Sequence, residues 1–205
     1  MGHDLETVDF ESYLREPLEF DKEISRFFGH QAALVIFEVG ACEGEDTLRL
    51  KRRFPNASIY AFEPLPENVT RVEQNLDKYG VADVPIFRLA LSDSTGTSEF
   101  HVSSGHPDDV PQAGDWDYGN KSSSLLPPKE LEDVVPWLKF ERTILVETMR
   151  LDRFCDAHSI ERIDLVYLDV QGAELMVLRG AGDYLRGSER YGWRSAQGSS
   201  TTANR

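Results

Sequence analysis

Three apolar runs along this chain each lead into a carboxylate: Leu34-Val35-Ile36-Phe37 into Glu38, Ile59-Tyr60-Ala61-Phe62 into Glu63, and Leu165-Val166-Tyr167-Leu168 into Asp169. Runs that are continuous rather than alternating predict strands buried on both faces, as in a parallel sheet. Helical patterns lie between them. Glu43 to Phe54 is the first, closed by Pro55, and Pro66 to Tyr79 is the second, with Val69, Val72 and Leu76 on one face and Gly80 at its end. A third strand is predicted over Pro85–Leu91, a short helix over Leu151–His158, a further strand over Ile163–Asp169 and its helix over Ala173–Leu185. Thr97–Val102 and Thr143–Met149 alternate and read as strands outside the βαβ pattern. Ahead of all these, Phe10–Leu14 and Ile24–Phe28, separated by Pro17, predict two short helices on the outside of the sheet.

The expected fold class is therefore α/β, an open and mostly parallel sheet with helices on both faces. The organisation is an N-terminal helical extension (1–30), one domain (31–186) with a long insertion (103–136), and a tail (187–205). The insertion is rich in Pro, Gly, Ser and Asp, and a loop of that length reads as a functional lid or as disordered; with Trp116, Tyr118 and Ser122–Ser124 it is the candidate lid over the acceptor. The tail has no apolar period and turns from acidic to basic, so it is expected to be disordered. It reads as a truncated or out-of-frame end, or a natural short form. The sheet would then be incomplete at its C-terminal end, with an open edge at Ile163–Asp169 through which chains could self-associate, and turnover would be weak or absent.

Composition narrows the partners. A net charge of −14 in 205 residues argues against nucleic acid and against an anionic membrane surface, and leaves a small-molecule acceptor open. No apolar run approaches a membrane span, and the N-terminus lacks the plan of a secretory signal, so a cytoplasmic location is expected. Two cysteines and five scattered histidines make no metal-ligand spacing.

The chemistry is carried by the stretch Glu38-Val39-Gly40-Ala41-Cys42-Glu43-Gly44, an E-x-G-x-x-x-G turn between a buried strand and a helix. Such a strand–glycine loop–helix unit builds a nucleotide-type site at the carboxyl end of the sheet. A dinucleotide would place a pyrophosphate at the helix start. Glu43, Glu45 and Asp46 stand there instead, repelling a diphosphate and leaving no room for a basic partner. A ligand with adenine, ribose and a cationic centre but no phosphate fits better, and S-adenosylmethionine is such a molecule. An NAD-linked oxidoreductase is disfavoured on the same ground. In this reading Glu63 accepts from the ribose hydroxyls, Glu38 orients the ligand's amino group, and Asp93, beside Ser92, accepts from the adenine amine.

Five elements occur in the order seen in FkbM-type methyltransferases: Phe37–Ala41, Tyr60-Ala61-Phe62-Glu63-Pro64, Ala90-Leu91-Ser92-Asp93, Glu147–Phe154, and Leu168-Asp169-Val170-Gln171-Gly172-Ala173-Glu174. From about Leu34 to about Leu185 the chain resembles that family. The resemblance implies a Rossmann-like methyltransferase fold, S-adenosylmethionine as cofactor, and O-methylation of a hydroxyl on a small molecule such as a sugar or polyketide-type metabolite. It implies cofactor binding by Glu38, Gly40, Ala41, Gly44, Glu63, Ser92 and Asp93. The chain departs from the family's usual Asp at Glu38, Asn at Cys42 and Glu at Gln171. Methyl transfer is a matter of alignment plus removal of the hydroxyl proton. Asp169 is the first candidate as base or as the group orienting the acceptor, Glu174 the second, and His101 and His106 are alternative bases. A different class, a non-catalytic binding domain keeping the fold without the chemistry, stays open at this point.

Overall fold

The computed structural model describes residues 9–18, 20–30, 32–111, 115–128, 131–184, 191–194 and 200–203. The strands β1 (Val35–Val39), β2 (Ser58–Phe62), β3 (Ile86–Phe87) and β7 (Leu165–Leu168) form one parallel sheet in the order β3-β2-β1-β7. The chain moves outward from β1 to β2 and β3, then returns to the opposite side of β1 as β7. That reversal makes a topological switch point at the carboxyl ends of β1 and β7, where α/β sheets hold ligands. Register sharpens it. Val39 pairs with both Phe62 and Leu168, so Gly40, Glu63 and Asp169 leave the sheet together, one residue beyond their strands.

The two faces of the sheet carry separate cores, set by the twofold alternation of side chains along β1. Ile36 faces helix α3 (Glu45–Arg53) and helix α4 (Pro66–Lys78), with Leu50, Phe54 and Val72. Phe37 and Val39 face α6 (Leu151–His158) and α7 (Glu174–Gly180), in a nest of Phe62, Phe87 and Phe154 with ring centroids 4.7–5.7 Å apart. Helices α1 (Phe10–Arg15) and α2 (Asp21–Ser25) share the first core through Phe10, Leu14 and Ile24. The basic last turn of α3 holds the connection between them. Arg49 and Arg52 donate to the carbonyls of Pro17 and Leu14, and Arg53 pairs with Asp21.

Three expectations need correction. The strand predicted as continuous over Pro85–Leu91 divides, because Leu89 N–H turns back to the Phe87 carbonyl at 2.9 Å. Its second half, β4 (Ala90–Ser92), joins a different sheet with β6 (Lys139–Arg150) and β5 (Gly96–Ser104) in the order β4-β6-β5. The last helix ends at Gly180 rather than Leu185, with a turn at Gly182 in the left-handed region. In the tail, Tyr191–Arg194 (β8) and Ser200–Ala203 (β9) form an antiparallel ribbon of their own; β8 lies beside β7 without joining its sheet, in which β7 is the edge strand among the described residues. The rest of the tail lies outside the described residues. No helix among the described residues is long and apolar enough to cross a membrane.

Candidate functional site

A cavity of about 300 Å³ opens at the switch point, in the lower part of the size range of small-molecule sites. Its floor is the Gly40-Ala41-Cys42 turn, its walls are Phe62-Glu63-Pro64 after β2 and Leu89-Ala90-Leu91, and Asp169-Val170-Gln171 closes the β7 side. The insertion supplies the roof. Its 3₁₀ turn, Gly119–Ser122, brings Asn120, Lys121 and Ser122 over the opening, and Trp116 joins them beside Tyr13 of α1.

Backbone geometry explains the glycine at the head of the loop. Gly40 sits at φ +92°, and a Cβ there would lie 2.1 Å from the Asp169 carbonyl oxygen. The loops after β1 and β7 can pass this closely only over a glycine. Gly44 does different work from that expected. It lies away from the cavity at φ +84°, where a Cβ would press on Val72 at 3.1 Å, so it seats the start of α3 against α4.

Glu63 is where the sequence reading placed it. Its carboxylate is buried, accepts from the Cys42 N–H at 2.9 Å and the Leu65 N–H at 2.8 Å, and lines the cavity. One acceptor therefore ties the glycine loop to the chain after β2 and has lone pairs left for a ligand. Burial pushes its pKa up to about 7, against the two backbone hydrogen bonds that favour the charged form.

Glu38 does not reach the cavity. Alternation along β1 turns it, like Ile36, into the layer beneath α3, where it is fully buried and accepts from Thr47 Oγ1 at 2.6 Å. Its Oε1 has no hydrogen-bond partner among the described residues. Burial first, and then the nearby Asp46, Glu45 and Glu63, raise its pKa well above the carboxylate range. Ser92 and Asp93 are also displaced, because β4 leaves the main sheet. The cavity wall is formed by Leu89–Leu91, while the Asp93 carbonyl accepts from Arg150 at 3.0 Å.

The acids at the helix start do have basic partners, contrary to the sequence reading. Glu43 is paired with Arg71 of α4 and with Lys121 at 3.1 Å, and Glu45 with Lys121 at 2.6 Å. Asp46 receives Arg49 at 2.6 Å and the hydroxyls of Tyr167 and Tyr13 at 2.5 and 3.3 Å. Asn120 donates to Glu43 and Asn68 at 3.0 and 3.1 Å, fastening the roof to the loop. Lys121 and Asn120 carried no signal in the sequence, since no spacing links an insertion to a loop nearly eighty residues away, and neither did Asn68 of α4.

On the opposite side Asp169 lines the cavity and accepts from Gln171 Nε2 at 2.6 Å. Glu174 does not line it. This residue folds back in the first turn of α7 and accepts from the Gly172 N–H at 3.1 Å, a local cap. His101 is engaged with Thr143 on the β5–β6 ladder and His106 with the Pro107 carbonyl, both off the cavity. No group of three or more His, Cys, Asp or Glu among the described residues could hold a metal ion.

Comparison with known proteins places this geometry. The profile of the Methyltransferase FkbM domain matches residues 38–191. The 2-O-methyltransferase NoeI of Sinorhizobium fredii is 37% identical over 152 residues, which are 74% of this chain and 58% of that protein. Methyltransferase sdnD of Sordaria araneosa is 31% identical over 163 residues, 72% of this chain and 60% of that one. The chain thus spans less than two thirds of these relatives. The crystal structure of methyltransferase FkbM from Methylobacillus flagellatus superposes with a TM-score of 0.53 at 13% identity, over 90% of this chain and 39% of that one, a likeness of fold.

Proposed function

This chain belongs to the FkbM methyltransferase family, and on that premise we propose that it is an S-adenosylmethionine-dependent O-methyltransferase acting on a hydroxyl of a small molecule, such as a sugar or polyketide-type metabolite. The observation that carries the donor assignment is the buried Glu63 carboxylate, opening into the switch-point cavity from the end of β2. A carboxylate so held suits a pair of ribose hydroxyls. The apolar wall of Leu89, Leu91 and Phe100 suits a flat base, and the Gly40–Cys42 turn forms the floor beside it. These residues fit the donor. When bound, the donor supplies a methyl group on a sulfonium, already activated toward a nucleophile.

What the chain contributes is positioning and proton removal. Glu63 holds the ribose and with it the direction of the methyl group. Asp169 stands on the far side of the cavity, with Gln171 Nε2 on its Oδ1 to fix the carboxylate's rotation. Its role in the proposal is to take the proton of the acceptor hydroxyl. The roof residues Trp116, Asn120 and Ser122 exclude water above them. The similarity to NoeI, a 2-O-methyltransferase, supports oxygen as the methylated atom.

Calorimetry tests the donor half. Wild type should bind S-adenosylhomocysteine and should bind its 2′-deoxyribose counterpart about tenfold or more weakly, the value of a charge-assisted hydrogen bond. Glu63→Ala should lose that preference. Absence of S-adenosylhomocysteine binding by wild type would overturn the reading. Radiolabelled methyl transfer to sugar and polyketide hydroxyls, with Asp169→Asn as the inactive comparison, tests the acceptor half.

A further inference from the structure

Lys121 is the one basic side chain lining the cavity among the described residues, and it comes from the insertion rather than from the glycine loop. It has three N–H donors to place. Two go to Glu43 Oε2 at 3.1 Å and Glu45 Oε1 at 2.6 Å, and the contact left is Cys42 Sγ at 3.6 Å. Burial holds the Cys42 thiol pKa well above its ordinary value, so the sulfur there is a neutral, weak acceptor. The ammonium also sits 4.2 Å above the Trp116 ring, whose face favours a cation but accepts no strong hydrogen bond. A half-buried ammonium therefore presents its least satisfied direction at the floor of the cavity.

The surroundings state what it would accept. Glu45 and Asp46 also line this end, so a simple anion would meet two carboxylates beside one ammonium. A group carrying both signs on adjacent atoms meets Lys121 with its negative end and the acids with its positive end. The α-amino-acid end of a nucleoside thioether or sulfonium has that form.

We propose that Lys121 is the specificity-determining residue for the amino-acid end of the donor, receiving its α-carboxylate while Glu45 and Asp46 face its α-ammonium. This rests on the donor reading above and adds to it a residue from the roof. Because the same ammonium fastens the roof to Glu43 and Glu45, the roof and the ligand's carboxylate are read by one group.

The test is a ligand–protein double cycle in calorimetry. Its ligands are S-adenosylhomocysteine, the same molecule with its carboxylate as a neutral carboxamide, and methylthioadenosine, which lacks the amino-acid end altogether. Wild type should prefer the acid over the amide by about tenfold or more, the value of a hydrogen bond to a charged partner. Lys121→Met should bind the two alike, its loss against wild type being about tenfold larger for the acid than for methylthioadenosine, whereas Lys121→Arg should restore the preference. An acid preference that survives in Lys121→Met overturns the assignment, as does its absence in wild type, a comparison needing no variant. A role limited to stapling the roof would weaken all three ligands equally in Lys121→Met, and that result also overturns it. Methylthioadenosine binding separates the two levels. If wild type binds it without an acid preference, Lys121 is wrong and the donor site stands; if wild type binds none of the three, the donor site itself is wrong.

Discussion

Gly40→Ala is the substitution whose cost the structure states most directly. The new Cβ would sit 2.1 Å from the Asp169 carbonyl oxygen and 2.9 Å from its carbon, inside the 3.0 Å that real Cβ atoms keep. The obstacle is backbone, so no side-chain rotation relieves it. Three costs add. An L-residue at φ +92° carries strain of about 1–2 kcal/mol, and overpacking in a closed region about 1–3 kcal/mol. Separating the two loops also weakens the Gly40 N–H to Phe62 bond at 2.9 Å and the Asp169 N–H to Val39 bond at 3.0 Å, at about 1 kcal/mol each. The expected loss is about 4–7 kcal/mol, exceptional for one methyl group. Gly80→Ala is the control. It also has positive φ, +71°, but nothing lies within 4 Å of its Cβ, so it should cost only the strain, about 1 kcal/mol. Urea unfolding reads both, with a midpoint shift of about 2–3.5 M for Gly40→Ala at a slope of about 2 kcal/mol/M. Equal midpoints for the two variants would refute the close crossing of the loops after β1 and β7.

Glu63 sets a pH dependence. Its pKa rises from 4.5 to about 7 on folding, so its contribution is fully present below 4.5 and is lost as pH climbs through 7, by about 3.5 kcal/mol at ~1.4 kcal/mol per unit. The stability difference between wild type and Glu63→Gln, measured in urea at pH 5 and pH 8, should therefore shift against wild type at the higher pH; a shift in the other direction would contradict the burial argument. Ligand binding should run oppositely, since hydroxyl donors favour the charged carboxylate. Affinity for S-adenosylhomocysteine should rise from pH 6 to 8 in wild type and stay flatter in Glu63→Gln. Phe154→Ala empties the centre of the aromatic nest and should cost about 3–5 kcal/mol in the same unfolding assay. Asp46→Asn leaves the buried Arg49 without its carboxylate and should cost about 3 kcal/mol, with residues 9–30 becoming sensitive to limited proteolysis before the rest of the chain.

What the sequence determined by itself is the frame. Continuous apolar runs have one stable use in a chain of this size, a doubly covered parallel sheet. Carboxylates that follow such runs then emerge along a common edge because parallel strands share their polarity. Glu63, Asp169 and the Gly40–Ala41 turn were legible for that reason, and so was the α6 helix over Leu151–His158, which the structure reproduces residue for residue. Tertiary structure decided which of the acids face the cavity. Alternation along β1 turns Glu38 into a helix layer. The departure of β4 to a second sheet carries Ser92 and Asp93 away, and a local cap holds Glu174. It also decided the electrostatics. Read along the chain, Glu43, Glu45 and Asp46 are unpaired negative charge. In the fold they meet Arg71, Lys121 and Arg49, two of them from distant segments, because buried carboxylates are retained only where the surrounding structure returns the hydration they lose. Sequence order records which groups exist; the distance between them, on which Coulomb energy and hydrogen bonding depend, is a property of the fold.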